Sequence, residues 1–256
     1  MVAALEARHL ANLTRSEVAR ALRALSSCYV ERRAKLQSGA PLETAGKRAS
    51  FALYYGPLHF VITTEIVRAI GFRNVTAIHD LGCGTGVGGA AWALQSDVKV
   101  TIAGIDRSEW AVNEANWLYR QFKLRGRAKK GDLSRGALRP NFRTGDAMLF
   151  AYSLNELPDD ARSAAMSAVV AAIGRGAAVL VIEPVGRRLG NEGWWEHWKR
   201  TLNAHGVREQ EWRFPSALLP DTTRTLARAA GLDLRELTAR TLASAPASGI
   251  TRTTAS

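Results

Sequence analysis

One short run constrains this chain more than any other stretch: Ile78-His79-Asp80-Leu81-Gly82-Cys83-Gly84-Thr85-Gly86-Val87-Gly88-Gly89. Before it, Val75–Asp80 reads as a short strand, and after it Gly88–Ser96 reads as a helix. Glycines at such a junction let the backbone turn sharply and approach a ligand closely. The helix start presents free N–H groups and the positive end of a dipole. The same alternation continues downstream. Val98–Asp106 reads as a second strand, Ser108–Phe122 as a helix, and Arg127–Asp132 as a third strand. Ala147–Ser153 is expected as a fourth strand, Asp159–Ile173 as a helix, and the almost wholly apolar Ala177–Pro184 as a centrally buried parallel strand. Trp194–His205 and Asp221–Ala230 read as helices, Arg208–Phe214 as a strand, and Leu232–Ala243 contains a final strand. Strands alternating with helices imply an α/β fold, a Rossmann-like doubly wound parallel sheet.

The N-terminal part has the helical period instead. Thr14 and Glu17 form a capping box for a helix over residues 14–36, with Val18, Leu22, Leu25 and Tyr29 on its apolar face. A second helical stretch runs from about Leu42 to Ile70, interrupted at Gly56-Pro57 and stopped by Gly71. The expected organisation is a helical N-terminal cap over 1–72, an α/β domain over 73–243, and a flexible Ala/Ser/Thr-rich tail over 244–256.

The glycines can be read in two registers. Gly84, Gly86 and Gly89 match the dinucleotide pattern G-x-G-x-x-G, which leaves an NAD-dependent enzyme as one reading. That register starts the turn late and leaves Asp80 inside the strand. The other register starts at Gly82, directly after Asp80-Leu81. In it, Asp-Leu-Gly-Cys-Gly-Thr-Gly resembles motif I of the class I S-adenosylmethionine-dependent methyltransferases. The resemblance implies a methyltransferase sheet, S-adenosyl-L-methionine as cofactor, and a cofactor loop of Asp80, Gly82, Cys83, Gly84, Thr85 and Gly86. Asp106, followed by Arg107, ends the second strand, where a carboxylate takes both ribose hydroxyls; capping the next helix is the competing role. Asp132 and Leu133 sit where that family contacts adenine, with a plain turn as the competing role. Tyr152 and Ser153 end the fourth strand, where in the family substrate and transferred methyl meet. This resemblance covers roughly residues 75–185.

Three further segments resemble bacterial relatives of the mitochondrial small-ribosomal-subunit methyltransferase-like proteins. They are Tyr54-Tyr55-Gly56-Pro57-Leu58-His59-Phe60, Ser153-Leu154-Asn155-Glu156-Leu157-Pro158 followed by Arg162, and Val181-Ile182-Glu183-Pro184. Val185-Gly186-Arg187-Arg188 departs from the Gly-Thr-Pro-type turn usual in that subfamily. The cysteine cluster of the mitochondrial members is missing, since this chain has two cysteines.

Methyl transfer needs mainly alignment of nucleophile, methyl and leaving sulfur. A base is required only where the nucleophile holds its proton at neutral pH. The catalytic candidates are Glu156 after the fourth strand and His59 and Tyr55 in the aromatic segment, which is placed to fold over the pocket. Glu183 ends the fifth strand and faces either the crevice or the neighbouring loops. Trp194, Trp195 and Trp198 form a helical cluster, read first as core and second as a stacking wall. Trp110, early in the helix after Asp106, is expected either near adenine or in the core.

Charge bears on the partner. The formal net charge is +12. Residues 1–50 carry nine Lys/Arg against four acids, and residues 123–143 carry eight against Asp132 alone. These two basic segments suggest RNA or a ribosomal subunit as partner; a solvated basic face is the other reading. A small-molecule O- or N-methyltransferase and a non-catalytic RNA-binding or ribosome-assembly protein are the alternatives. Two cysteines make neither a disulfide framework nor a cysteine metal site, so no metal is expected. No stretch has the length and apolarity of a membrane span or a secretory signal, and a reducing cytoplasm is the expected compartment.

Overall fold

A computed structural model describes residues 1–31, 42–135, 142–185, 192–232 and 234–244. Two N-terminal helices, α1 (Val2–His9) and α2 (Arg15–Glu31), precede a continuous helical run. That run consists of α3 (Ala45–Ser50), a π-helical turn (Phe51–Tyr55) and α4 (Gly56–Ile70). The α/β part follows as β1 (Ala77–Leu81), α5 (Val87–Ala93), β2 (Thr101–Asp106), α6 (Glu109–Gln121) and β3 (Arg125–Lys130). Next come β4 (Asp146–Ala151), α7 (Asp159–Gly174), β5 (Ala178–Glu183), α8 (Glu192–Asn203), β6 (Val207–Pro215), α9 (Asp221–Ala229) and β7 (Glu236–Ser244).

The strands form one seven-stranded sheet in the order β3-β2-β1-β4-β5-β7-β6. The expected doubly wound α/β sheet is present, with one correction: β7 runs antiparallel between β5 and β6. The change of winding direction falls between β1 and β4, which pair in parallel. In such sheets the ligand crevice opens beyond the carboxyl ends of the strands at that point. Helices α4, α5 and α6 cover one face over Ile78, Ile102 and Leu149; α7 and α8 cover the other over Met148, Val179 and Val181. This two-sided burial explains why β4 and β5 are apolar along nearly their whole length.

Three local expectations need correction. Helix α1 was not foreseen; it joins an apolar cluster with Val18, Leu22, Ala52, Leu53 and Leu226. Gly56-Pro57 does not interrupt the helix. Proline lacks an N–H and crowds the carbonyl four residues back. The π turn resolves the conflict, because the Gly56 N–H reaches the Phe51 carbonyl five residues back. Strands β3 and β4 end earlier than expected, so Asp132, Tyr152 and Ser153 stand in the turns beyond them. The capping box is as expected: Glu17 Oε2 accepts the Thr14 N–H at 2.8 Å, and Thr14 Oγ1 accepts the Glu17 N–H at 3.3 Å. Residues 32–36 of the expected first helix, and the expected tail beyond Ser244, lie outside the described residues.

Candidate active site

The turn after β1 begins at Gly82. Gly82, Gly84 and Gly86 have φ of 75°, 51° and 79°, in the left-handed region that favours glycine. Packing supplies a second reason at two of them. A Cβ on Gly82 would lie 2.5 Å from the Ser153 Cβ, and one on Gly86 would lie 2.9 Å from Ala115 Cβ and the Tyr119 ring. At Gly84 a Cβ would meet nothing within 4 Å, so the loop is open there. Gly89 belongs to α5 and is small because the Asp80 carboxylate lies beneath it, 2.8 Å from where its Cβ would be.

Asp80 is buried at 1% exposure. Its Oδ2 accepts the Gly89 N–H at 2.9 Å, while Oδ1 is buried with no hydrogen-bond partner among the described residues. Burial raises this carboxyl to about 7. At the end of β2, Asp106 Oδ2 accepts the Gly84 N–H at 2.9 Å and Oδ1 accepts the Ser108 N–H at 2.8 Å. The cap of α6 is Ser108, whose side chain accepts from Ala111, so Asp106 ties the glycine loop to β2 and is not itself the cap. The Cys83 side chain is turned inward against Gly104, and burial pushes its thiol up. Thr85 is buried, and its hydroxyl has no partner among the described residues.

Beyond β3, Asp132 Oδ1 accepts from the Ser134 N–H at 2.9 Å and from its hydroxyl at 2.6 Å. Those bonds hold the carboxyl below its ordinary value. Asp132 therefore closes a turn, with Oδ2 directed to Arg135 at 3.6 Å. Leu133 is buried beneath Gly82. Across the crevice, Arg107 and Glu156 face each other at 3.8 Å.

The three sequence segments singled out around Tyr54–Phe60, Ser153–Arg162 and Val181–Pro184 meet beyond β4. Tyr152 has φ of 60°, unusual for a non-glycine residue. Its ring stacks on His59 at 3.8 Å with 12° between planes. From His59 a file of half-buried rings runs to Tyr55 (5.8 Å), Phe51 (5.6 Å) and Trp110 (6.2 Å). Glu183, fully buried, supports the next turn from below. Its Oε1 accepts the N–H groups of Leu154 (2.9 Å) and Asn155 (3.2 Å). Arg162 donates to the Leu154 carbonyl at 3.4 Å from the other side. Burial pushes the Glu183 carboxyl up to about 8, and its Oε2 has no partner among the described residues. Burial pushes the His59 imidazole down to about 3, so the ring is neutral at physiological pH. Burial pushes the Tyr55 phenol up to about 12.

Sequence reading missed two contributors. Phe51 completes the ring file; its spacing of four before Tyr55 and eight before His59 was the available signal. Buried Glu114 on α6 accepts a two-pronged guanidinium contact from Arg8 (2.8–3.1 Å) and faces His9 Nε2 at 3.2 Å. It pins α1 beside the glycine loop, and nothing in the local sequence marks it. The tryptophan cluster is core: Trp195 and Trp198 are 0% and 2% exposed against β5 and β7, while Trp110 is half-buried between Phe51 and His9.

No family model matches the sequence, and no curated protein matches it. Solved structures do. A TehB-like SAM-dependent methyltransferase from Corynebacterium glutamicum is 19% identical, covering 86% of this chain and 98% of that one, with a TM-score of 0.45. A putative RNA methyltransferase from Pyrococcus horikoshii is 15% identical over 78% of this chain and 85% of that one, at 0.45. The mitomycin 7-O-methyltransferase MmcR is 14% identical over 88% of this chain and 66% of that one, at 0.48. At these identities and TM-scores, chemistry rests on the residues of the site itself.

Proposed function

We propose that this chain binds S-adenosylmethionine above β1 and β2 and transfers its methyl group to a flat acceptor held against the ring file. The observation that carries this reading is the buried Asp80 carboxylate on the Gly89 N–H, under a turn that starts at Gly82. A dinucleotide pyrophosphate would need those helix-start N–H groups free and no anion beneath them. Here one N–H is already taken by the Asp80 carboxyl, which leaves one donor fewer for a pyrophosphate and suits the ammonium group at the amino-acid end of S-adenosylmethionine, beside which the carboxyl would ionise. The unpartnered Asp80 Oδ1 and the open backbone at Gly84 fit that end of the molecule.

Asp106 keeps acceptor capacity on both oxygens beyond its two backbone bonds and would hold the ribose diol. Asp132 Oδ2 and Leu133 would border the adenine. Arg107, Tyr152 and Ser153 close the same crevice. When bound, S-adenosylmethionine supplies a methyl carbon on a sulfonium, open to an electron pair of the acceptor. The chain's part is alignment. The face-to-face pair of His59 and Tyr152 continues into Tyr55 and Phe51, so a planar acceptor extends a stack already built. A conjugate acid as strong as that of His59 makes a weak base, so its role is to position. Glu156, 3.8 Å from Arg107 in the turn after β4, is the group to take an acceptor proton.

Titration calorimetry tests the cofactor. S-adenosylmethionine is expected to bind, Asp106→Ala to weaken it at least about tenfold, which is the loss of one charge-assisted contact, and Gly84→Arg to abolish it. Tight binding of NADH in place of S-adenosylmethionine would overturn the reading. Incubation with labelled S-adenosylmethionine and total RNA, with Gly84→Arg as control, tests the acceptor. Label confined to small molecules would transfer the stack to a small-molecule acceptor.

A further inference from the structure

The two basic segments of the sequence differ in three dimensions. In the N-terminal one, Arg8 bonds Glu114, Arg15 pairs with Glu6 at 2.8 Å, Arg23 donates to the Ala230 carbonyl at 3.1 Å, and Arg48 donates to the Leu42 carbonyl at 2.8 Å. Arg8, Arg15 and Arg23 tie helices to neighbouring elements, and Arg48 ties α3 to the chain just before it. In the other segment, Lys123, Arg125, Arg127 and Lys129 are exposed, and among the described residues no carboxylate pairs with them. Only the ends of the patch are neutralised, Lys130 by Glu109 at 3.4 Å and Arg135 by Asp132 at 3.6 Å.

These cations have an ordered spacing because β3 is the edge of the sheet. Alternation puts Arg125, Arg127 and Lys129 on one face, about 6.6 Å apart. That separation is comparable with the distance between successive phosphates on an extended nucleic-acid strand. In register beside the first two lie Thr101 and Ala103 of β2, both exposed, so this strip of the sheet is open. The opposite face is covered, with Gly126 against the Tyr119 ring. An edge strand needs some charge to resist pairing with other chains. One lysine answers that need; three evenly spaced cations on an open face, with a fourth just before the strand, exceed it. The direction also matters. β3 runs toward the crevice, and its last residues lie beside Asp106 in register (Asp106 with Lys130).

We infer that the open face of β3 is a docking track for the phosphate backbone of an RNA strand, leading it to the crevice where the ring file receives a base. As a route for the acceptor this rests on the methyl-transfer reading; as a binding surface it stands alone. The experiment therefore reads binding without turnover.

Affinity of the full chain for a short oligouridylate would be measured over a range of salt concentrations. The variants are Arg125→Gln/Arg127→Gln/Lys129→Gln and a control of equal charge loss elsewhere, Arg20→Gln/Arg200→Gln/Arg228→Gln. Each phosphate contact on a single strand contributes roughly 0.7 to the slope of log affinity against log salt, so the edge variant is expected to flatten it by about 2. Its affinity is expected to fall about tenfold or more at low salt, with the control close to wild type. Arg125→Lys/Arg127→Lys keeps the charges and should keep the slope. Calorimetric S-adenosylmethionine binding, unchanged in the edge variant, confirms an intact fold and separates this test from that of the cofactor. Equal losses in both glutamine variants, wild-type binding by the edge variant, or binding to phosphatidylserine vesicles without binding to oligouridylate would each overturn the inference.

Discussion

The loops after β1 and β4 face the same crevice and are built by opposite means. Both turn through positive φ, and both rest on a buried carboxylate that accepts backbone N–H groups from above: Asp80 from Gly89, Glu183 from Leu154 and Asn155. In the first loop the turning residues are glycines, which adopt that backbone without strain. In the second the turning residue is Tyr152, which holds it against a cost of about 1–2 kcal/mol through its stack on His59 and the Tyr152 N–H bond to the Ile182 carbonyl at 2.8 Å. A loop can be shaped by its own residues or by what surrounds it, and only the first kind leaves a mark in a short motif.

The shared carboxylates give the largest expected effect. Asp80 is raised from 3.8 to about 7 and Glu183 from 4.5 to about 8, each chiefly by burial. The unfolded chain ionises both near pH 4, while the folded chain keeps them protonated until pH 7 or 8. The folded state thus binds more protons across that window, and stability falls as pH rises through it, on the order of 4 kcal/mol for each group. Urea unfolding over pH 4–9 should show this decline. Asp80→Asn should remove the part ending near 7 and Glu183→Gln the part ending near 8. A flat profile in the wild type would show that the two carboxylates are stably charged in the fold.

A smaller effect separates the glycines. Gly82→Ala sets a Cβ into Ser153 and is expected to cost roughly 3 kcal/mol, strain and overlap together. Gly84→Ala meets open space and should cost about 1 kcal/mol. Equal losses in denaturant midpoints would contradict the packing account of Gly82. The smallest effect tests the other loop. Replacing Tyr152 by Gly should destabilise less than replacing it by Ala, by about 1 kcal/mol, because Gly is at ease at that φ. In an ordinary strand the order is reversed, so the sign decides whether Tyr152 is held under strain.

The fold was legible because β1, β2, β4 and β5 carry apolar or β-branched runs, ended by Gly82 after β1, by Asp106 in β2 and by Pro184 after β5, and these signals are local. The antiparallel placement of β7 was not, because strand direction depends on where a chain returns, which periodicity does not report. The glycine turn and its ties to β1 and β2 were visible in Asp80, Gly82–Gly86 and Asp106. The ring side of the crevice was visible only as separate segments. That His59 lies on Tyr152, and that Glu183 holds Leu154 and Asn155, are contacts across about 30 to 90 positions of sequence. Glu114 is the extreme case: a buried carboxylate inside an amphipathic helix gains its meaning from Arg8, more than 100 residues away (106).

The π turn at Phe51–Tyr55 has a consequence for how this segment tolerates length change. It stores one residue beyond what an α-helix would use over the same span. Deleting a single residue there would let the turn relax to ordinary α-helix over the same span with α3 and α4 close to their present relation, whereas deleting one from α4 would rotate everything N-terminal to it by about 100° relative to the rest of α4. In the second case Phe51 would leave the ring file, and α3 would turn its apolar side away from α2. Loss of one residue at Phe51–Tyr55 should therefore be borne far more readily than loss of one within α4, and variation in length among descendants of this chain should gather at the π turn.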